Sequence, residues 1–195
     1  MQQIIQFILE IDKLKAVTRK NKPLGLERYE NSAEHSWQLA LLAMSLREFA
    51  PAGVDMNQVI RMLLLHDIGE IDTGDTMVYV EGGWAERKAE ELTAARRIFG
   101  ILPAAIAEEY VALWQEFEAG ETDASRFANA IDRAMPALLN MHNNGQSWRE
   151  NGISYERVVK RIRGQIEDGC PALWAYIEPL LIEAKADGWF GMGQG

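Results

Sequence analysis

The chain has 195 residues, 48% hydrophobic and 25% charged, with a net charge of −9. That length fits one domain, and that apolar share excludes disorder as the main state. A single cysteine excludes a disulfide framework and a cysteine-cluster metal site, and the negative charge argues against a protein that coats nucleic acid, which needs a basic face. With only three histidines, His35, His66 and His142, any metal or acid–base chemistry must draw on those three and on carboxylates.

Met1 to Glu10 is apolar but lacks the basic start and small-residue cleavage site of a signal peptide, so it reads as a first helix that runs on through Leu14. From Lys13 to Arg28 six basic residues stand against one acid, Glu27, a stretch able to attract a small anion. Ser32 is placed to cap a second helix reaching about Ala50, before Pro51. Asp55 or Asn57 starts a third, ending near Gly69. The fourth spans about Trp84 to Phe99 and is stopped by Gly100; the fifth follows Pro103 and ends at Gly120. The sixth runs from about Ala124 to His142, the seventh from Tyr155 to Ile166, and the eighth follows Pro171. No stretch alternates with the period of a strand. The expected fold is all-α, a single helical domain of about eight helices over residues 1–187, with the Gly-rich segment 188–195 as a flexible tail. No apolar run approaches the roughly 20 residues that span a bilayer, so no membrane partner and a cytoplasmic location are expected.

Helical phase places the histidines. His35 lies in line with Leu39, Leu42, Leu46 and Phe49, and so faces inward one turn after the second helix begins. His66 follows Val59, Met62 and Leu63 on one face of the third helix, and Asp67 follows Ile60 and Leu64. Burying an unpaired carboxylate costs several kcal/mol. A divalent metal is the most economical partner for the His66-Asp67 pair, and imidazole with carboxylate suits Mn²⁺, Fe²⁺, Co²⁺, Ni²⁺ or Zn²⁺ better than Mg²⁺. Glu70, Asp72 and Asp75 follow at once. Glu70 and Asp75 are candidates for orienting or deprotonating a water, whereas Asp72 reads as part of a solvated acidic turn. A further ligand is expected from the sixth helix, where Asp132 sits at the edge of the face formed by Phe127, Ile131, Met135 and Leu139. Pro136, four residues on, removes the helical hydrogen bond to the carbonyl of Asp132. His142, ten residues beyond Asp132, points elsewhere.

The ordered set of His35, His66-Asp67 and Asp132 on helices resembles the HD-domain superfamily of metal-dependent phosphohydrolases. The flanks Arg28-Tyr29-Glu30-Asn31-Ser32-Ala33-Glu34-His35-Ser36-Trp37 and His66-Asp67-Ile68-Gly69-Glu70-Ile71-Asp72-Thr73-Gly74-Asp75 are similar to its 5′-deoxynucleotidase branch. So are Ile98-Phe99-Gly100-Ile101-Leu102-Pro103 and Asn144-Gly145-Gln146-Ser147-Trp148. The resemblance implies His35, His66, Asp67 and Asp132 as ligands of one divalent ion, with catalytic help from Glu70 and Asp75. It implies Arg19 as the phosphate-binding arginine; Lys20 follows it, where those relatives tend to carry an aromatic residue. Arg28 is a second phosphate candidate, or pairs with a nearby carboxylate such as Glu30. With two inward histidines, one metal ion is favoured over two. The implied activity is removal of the 5′-phosphate from (deoxy)ribonucleoside monophosphates, by a homodimer acting on a small phosphorylated substrate and not on a nucleic-acid polymer. The alternative is a metal-dependent nucleotide sensor without turnover. Among the six tryptophans, Trp189, with Phe190, either contributes to an interface or folds back on the core.

Overall fold

The structure, a computed structural model, describes residues 1–77, 79 and 82–191. In chain order the helices are α1 (Gln2–Ile11), α2 (Ser32–Ser45), α3 (Met56–Leu65), α4 (Glu70–Thr73), α5 (Trp84–Phe99), α6 (Ala104–Ala119), α7 (Asp123–His142), α8 (Gln146–Glu150), α9 (Tyr155–Gly169) and α10 (Pro171–Ala186). Two 3₁₀ turns, Asp12–Ala16 and Arg47–Phe49, follow α1 and α2. Among the described residues the only β-type pairing is one bridge between Thr18 and Asn31, so the fold is all-α as expected.

The boundaries follow local chemistry. Gly120, in the left-handed region at φ 63°, ends α6. Thr122 and Ser125 form a reciprocal capping box at the start of α7, and Ser154 caps α9. At α2 the cap is Asn31, whose side chain accepts from Glu34 N, and not Ser32. The Ser32 hydroxyl donates instead to Glu70 Oε2 at 2.6 Å. Helix α2 also ends earlier than the spacing predicts: the 3₁₀ turn after Ser45 takes Phe49 off the inner face and leaves it 54% exposed.

Helix α7 is the central element and packs against α2, α3, α6, α9 and α10. Its buried side includes Phe127, Ile131, Ala134 and Met135, with Asp132 set among them. Against α9 the approach is very close: a Cβ on Gly169 would lie 2.1 Å from the carbonyl oxygen of Arg126 and 2.8 Å from Ala130 Cβ. Gly169→Val is therefore expected to cost about 1–3 kcal/mol or more by forcing α7 and α9 apart. Denaturant unfolding would measure it, and a change below about 0.5 kcal/mol would contradict this packing.

Residues 189–191, assigned to the tail by the sequence, pack on the core. Phe190 stacks on Trp148 with ring centroids 4.5 Å apart and meets Tyr155 edge-on at 5.4 Å. Gly191 N donates to Ile153 O at 2.9 Å. The two aromatic side chains hold Trp189–Gly191 on the core; residues 192–195 lie outside the described residues.

Candidate functional site

Helices α2, α3 and α7 converge on three buried groups. His35 Nε2 lies 3.0 Å from Asp132 Oδ1, and His66 Nε2 lies 3.6 Å from the same oxygen. One ligand atom from each of His35, His66 and Asp132 falls within 4.8 Å of the others. The twenty-residue helix α7 carries Asp132 into the core through the phase of its apolar residues.

His66 directly follows α3, and three contacts orient it. Its Nδ1 is 2.9 Å from Leu63 O, its peptide carbonyl accepts from Trp114 Nε1 at 2.9 Å, and Phe117 packs on the ring with centroids 4.9 Å apart. With Nδ1 committed to a carbonyl, Nε2 faces the site. Nε2 is buried without a hydrogen-bond partner, although Asp67 Oδ1 is 3.0 Å away. Such a donor set around an orphaned imidazole nitrogen fits a divalent cation. Burial opposes charge on His66, yet the carboxylates of Asp67 and Asp132 outweigh it and raise its pKa well above 6.5. A bound cation would take the place of that proton. Burial, aided by Arg19, pushes His35 down to about 4, which keeps it neutral as a metal ligand must be.

Arg19 forms the other half of the site. It sits in an extended segment held by Arg19 N donating to Glu30 O at 2.9 Å and Ser32 N to Val17 O at 3.0 Å. Its Nη1 donates to Asp67 Oδ2 at 2.8 Å and lies 3.5 Å from Asp75 Oδ1 and 4.0 Å from Glu70 Oε1. Burial opposes the charge on Arg19, but Asp67, Asp75 and Glu70 more than restore it. Burial raises the Glu70 pKa well above the ordinary carboxylate value, with Asp67 adding to the effect, and burial raises Asp75 as well. Gly69 permits this crowding, since a Cβ there would stand 2.9 Å from Glu91 O on α5.

Glu30 was not singled out by the sequence. It is buried at 2% exposure, with Oε2 3.7 Å from His35 Nδ1 and 3.8 Å from Arg19 Nε. Burial, against the pull of Arg19, pushes its pKa up to about 7. Glu30 thus stands behind both a candidate ligand and the candidate phosphate group. The last turns of α7 and the start of α8 brace the segment that follows Arg19. Asn140 Nδ2 donates to Asn21 Oδ1 at 3.1 Å, and Lys22 N donates to Gln146 Oε1 at 3.0 Å.

The structure brings Arg19, His66, Asp67, Glu70, Asp75 and Asp132 to the wall of one cavity of about 590 Å³, with His35 buried behind it. That volume is within the usual range for small-ligand sites, about 300–1,000 Å³. Lys20, Trp84, Tyr79, Arg133 and Arg161 line it too. Arg28 does not; it makes an exposed two-point pair with a nearby carboxylate, that of Glu34, at 2.9 and 2.7 Å. His142 is exposed, as its phase predicts. Asp72 turns outward to Arg97, with Nε to Oδ2 at 2.6 Å.

A helical domain with inward His35, then His66-Asp67, then Asp132 defines a class. The chain belongs to the HD-domain family, whose pattern matches residues 11–174. It is similar to a solved structure described as a predicted metal-dependent phosphohydrolase from Magnetospirillum magnetotacticum MS-1, with 43% identity and a TM-score of 0.92 over 97% of this chain and 95% of that one. Its curated relatives include proteins named 5′-deoxynucleotidase HDDC2. The mouse protein is 25% identical over 131 residues, 67% of this chain and 64% of that protein. The Dictyostelium discoideum protein is 27% identical over 172 residues, 85% of this chain and 90% of that protein. Just under two thirds of the mouse relative's length is thus matched. No helix among the described residues is long and apolar enough to cross a membrane.

Proposed function

We propose that the chain is a metal-dependent phosphohydrolase, a phosphomonoesterase that removes the 5′-phosphate from (deoxy)ribonucleoside monophosphates. The observation that carries this reading is the orphaned His66 Nε2 between Asp67 and Asp132, with Arg19 beside it on one cavity wall. His35, His66, Asp67 and Asp132 would hold one divalent transition-metal ion. When bound, that ion supplies Lewis-acid charge stabilisation and lowers the pKa of a water.

The remaining roles belong to the chain's own residues. Arg19 Nη1 exchanges part of its contact with Asp67 and Asp75 for a phosphate oxygen and neutralises charge as the leaving oxygen departs. Ser32 anchors Glu70 Oε2, which leaves Oε1 to take the proton of the attacking water, with Asp75 alongside. Arg19→Ala is expected to lower kcat/KM about 100-fold, the scale of losing one charge-stabilising donor. Steady-state phosphate release checks this, and an unchanged kcat/KM contradicts the assignment.

The product-release test uses a panel of nucleoside monophosphates with Mn²⁺ or Co²⁺. Inorganic phosphate is expected from at least one of them. No release from any nucleotide or sugar phosphate with either metal overturns the reading, and nucleotide-dependent thermal stabilisation without product would point to a sensor instead. A homodimer and a cytoplasmic setting complete the proposal. The row Trp37, Leu41 and Met44 on the outer face of α2, exposed by 61%, 44% and 50%, supports a dimer contact there, in place of Trp189 and Phe190.

A further inference from the structure

The cavity is also lined by cationic side chains beyond Arg19. Arg133 on α7 and Arg161 on α9 both line it. Arg133 is tethered on two sides: Nη1 lies 3.3 Å from Asp132 Oδ2, and Nε donates to Gln165 Oε1 at 2.9 Å. Arg161 has no carboxylate partner among the described residues, and its Nε is buried without a hydrogen bond. Its guanidinium lies over the Trp84 ring, 5.1 Å from the centroid. Burial lowers the pKa of Arg161, and the charge of Arg133 lowers it further. Burial pushes the phenol of Tyr79, on the same wall, up to about 12, so it remains a neutral hydroxyl.

Arg133 has Asp132 as its counter-charge, whereas Arg161 has none among the described residues, and a cation left so on a cavity wall is stabilised when an anion joins it. A chain with net charge −9 has carboxylates to spare, yet none is placed against Arg161 among the described residues. An arginine laid on an indole keeps its planar N–H fork for acceptors at its edge, the geometry that matches phosphate. We propose that Arg133 and Arg161 form a second anion subsite, which takes a phosphoryl group other than the one cleaved, so that the preferred substrate is a nucleotide bearing two separate phosphates. This rests on the phosphomonoesterase reading for the site at Arg19 and His66.

The test is calorimetry on the metal-free protein in EDTA, where nothing turns over, with 2′-deoxyadenosine 5′-monophosphate and 2′-deoxyadenosine 3′,5′-bisphosphate as probes. The bisphosphate is expected to bind wild type about tenfold more tightly or better, the scale of one charge-assisted hydrogen-bonded contact. Arg161→Met is expected to shrink that preference to about twofold or less, and Arg161→Lys, which keeps charge without the fork, to retain part of it. Equal affinity in wild type, or a preference untouched by Arg161→Met in a protein with wild-type circular dichroism, overturns the subsite. Phosphate release read in parallel with Mn²⁺ separates the two claims. No release from either probe overturns the phosphomonoesterase reading, whereas release from both with equal affinities overturns the subsite alone.

Discussion

Asp132→Ala is expected to abolish phosphate release and to leave the chain without bound metal. Asp132 Oδ1 is the oxygen shared by the two buried histidines, 3.0 Å from His35 Nε2 and 3.6 Å from His66 Nε2. Its pKa stays well below 3.8: burial works against the charge, but Arg133, His35 and His66 together more than reverse it. Without this carboxylate two imidazoles and Asp67 remain, and the partly buried Arg133 loses its counter-charge. Losing an outer partner of a metal ligand typically costs about 10–100-fold in affinity or activity. Losing a ligand itself is expected to exceed that, at about 10³-fold or more in kcat/KM. Elemental analysis and phosphate release on the same folded sample measure both effects. Retention of metal and of activity in Asp132→Ala would remove Asp132 from the site.

Trp148→Ala is expected to give the largest loss of stability without touching the proposed ligands. Trp148 is 1% exposed, and Phe190 lies parallel to it, with 13° between the rings. Its backbone N–H and that of Ser147 both donate to Asn140 Oδ1, at 3.3 and 2.9 Å. Asn140 in turn holds Asn21, in the segment that carries Arg19. Truncating a buried tryptophan costs about 3–5 kcal/mol, part of it from the cavity left behind. In a chain of this size that lowers Tm by roughly 6–20 °C. Thermal and urea unfolding would show it, and a loss under about 1 kcal/mol would mean that the Trp148–Phe190 stack contributes little to the fold.

What the sequence makes legible here is what has a period. The phase of Leu39 and of Val59, Met62 and Leu63 turns His35 and His66 inward, and the phase of Phe127 and Ile131 does the same for Asp132. All of these are buried where the repeat places them. Pro103 and Pro171, with Gly100 and Gly120, mark helix ends within a residue or two of those observed. The place of Glu30 in the site is not legible because it lies in an extended stretch with no repeat, and its burial depends on a bridge to the Arg19 segment. Arg161 escaped notice for a different reason: it stands on a strongly charged helix, and only the packing of α9 on α7 turns it toward the cavity. For Trp189 and Phe190 the sequence left an interface and a fold back on the core both open, since a Gly-rich tail says nothing of the partner that Trp148 and Tyr155 offer, and the fold back is what is observed.

The central claim is that a single divalent ion, held by His35, His66, Asp67 and Asp132, supports phosphomonoester hydrolysis. The most direct measurement is a titration of metal-free protein with Mn²⁺, following heat of binding and phosphate release from a deoxynucleoside monophosphate together. The account predicts no release in EDTA and full release at about one equivalent of metal per chain. Full release in EDTA, or a requirement for two equivalents, would contradict it.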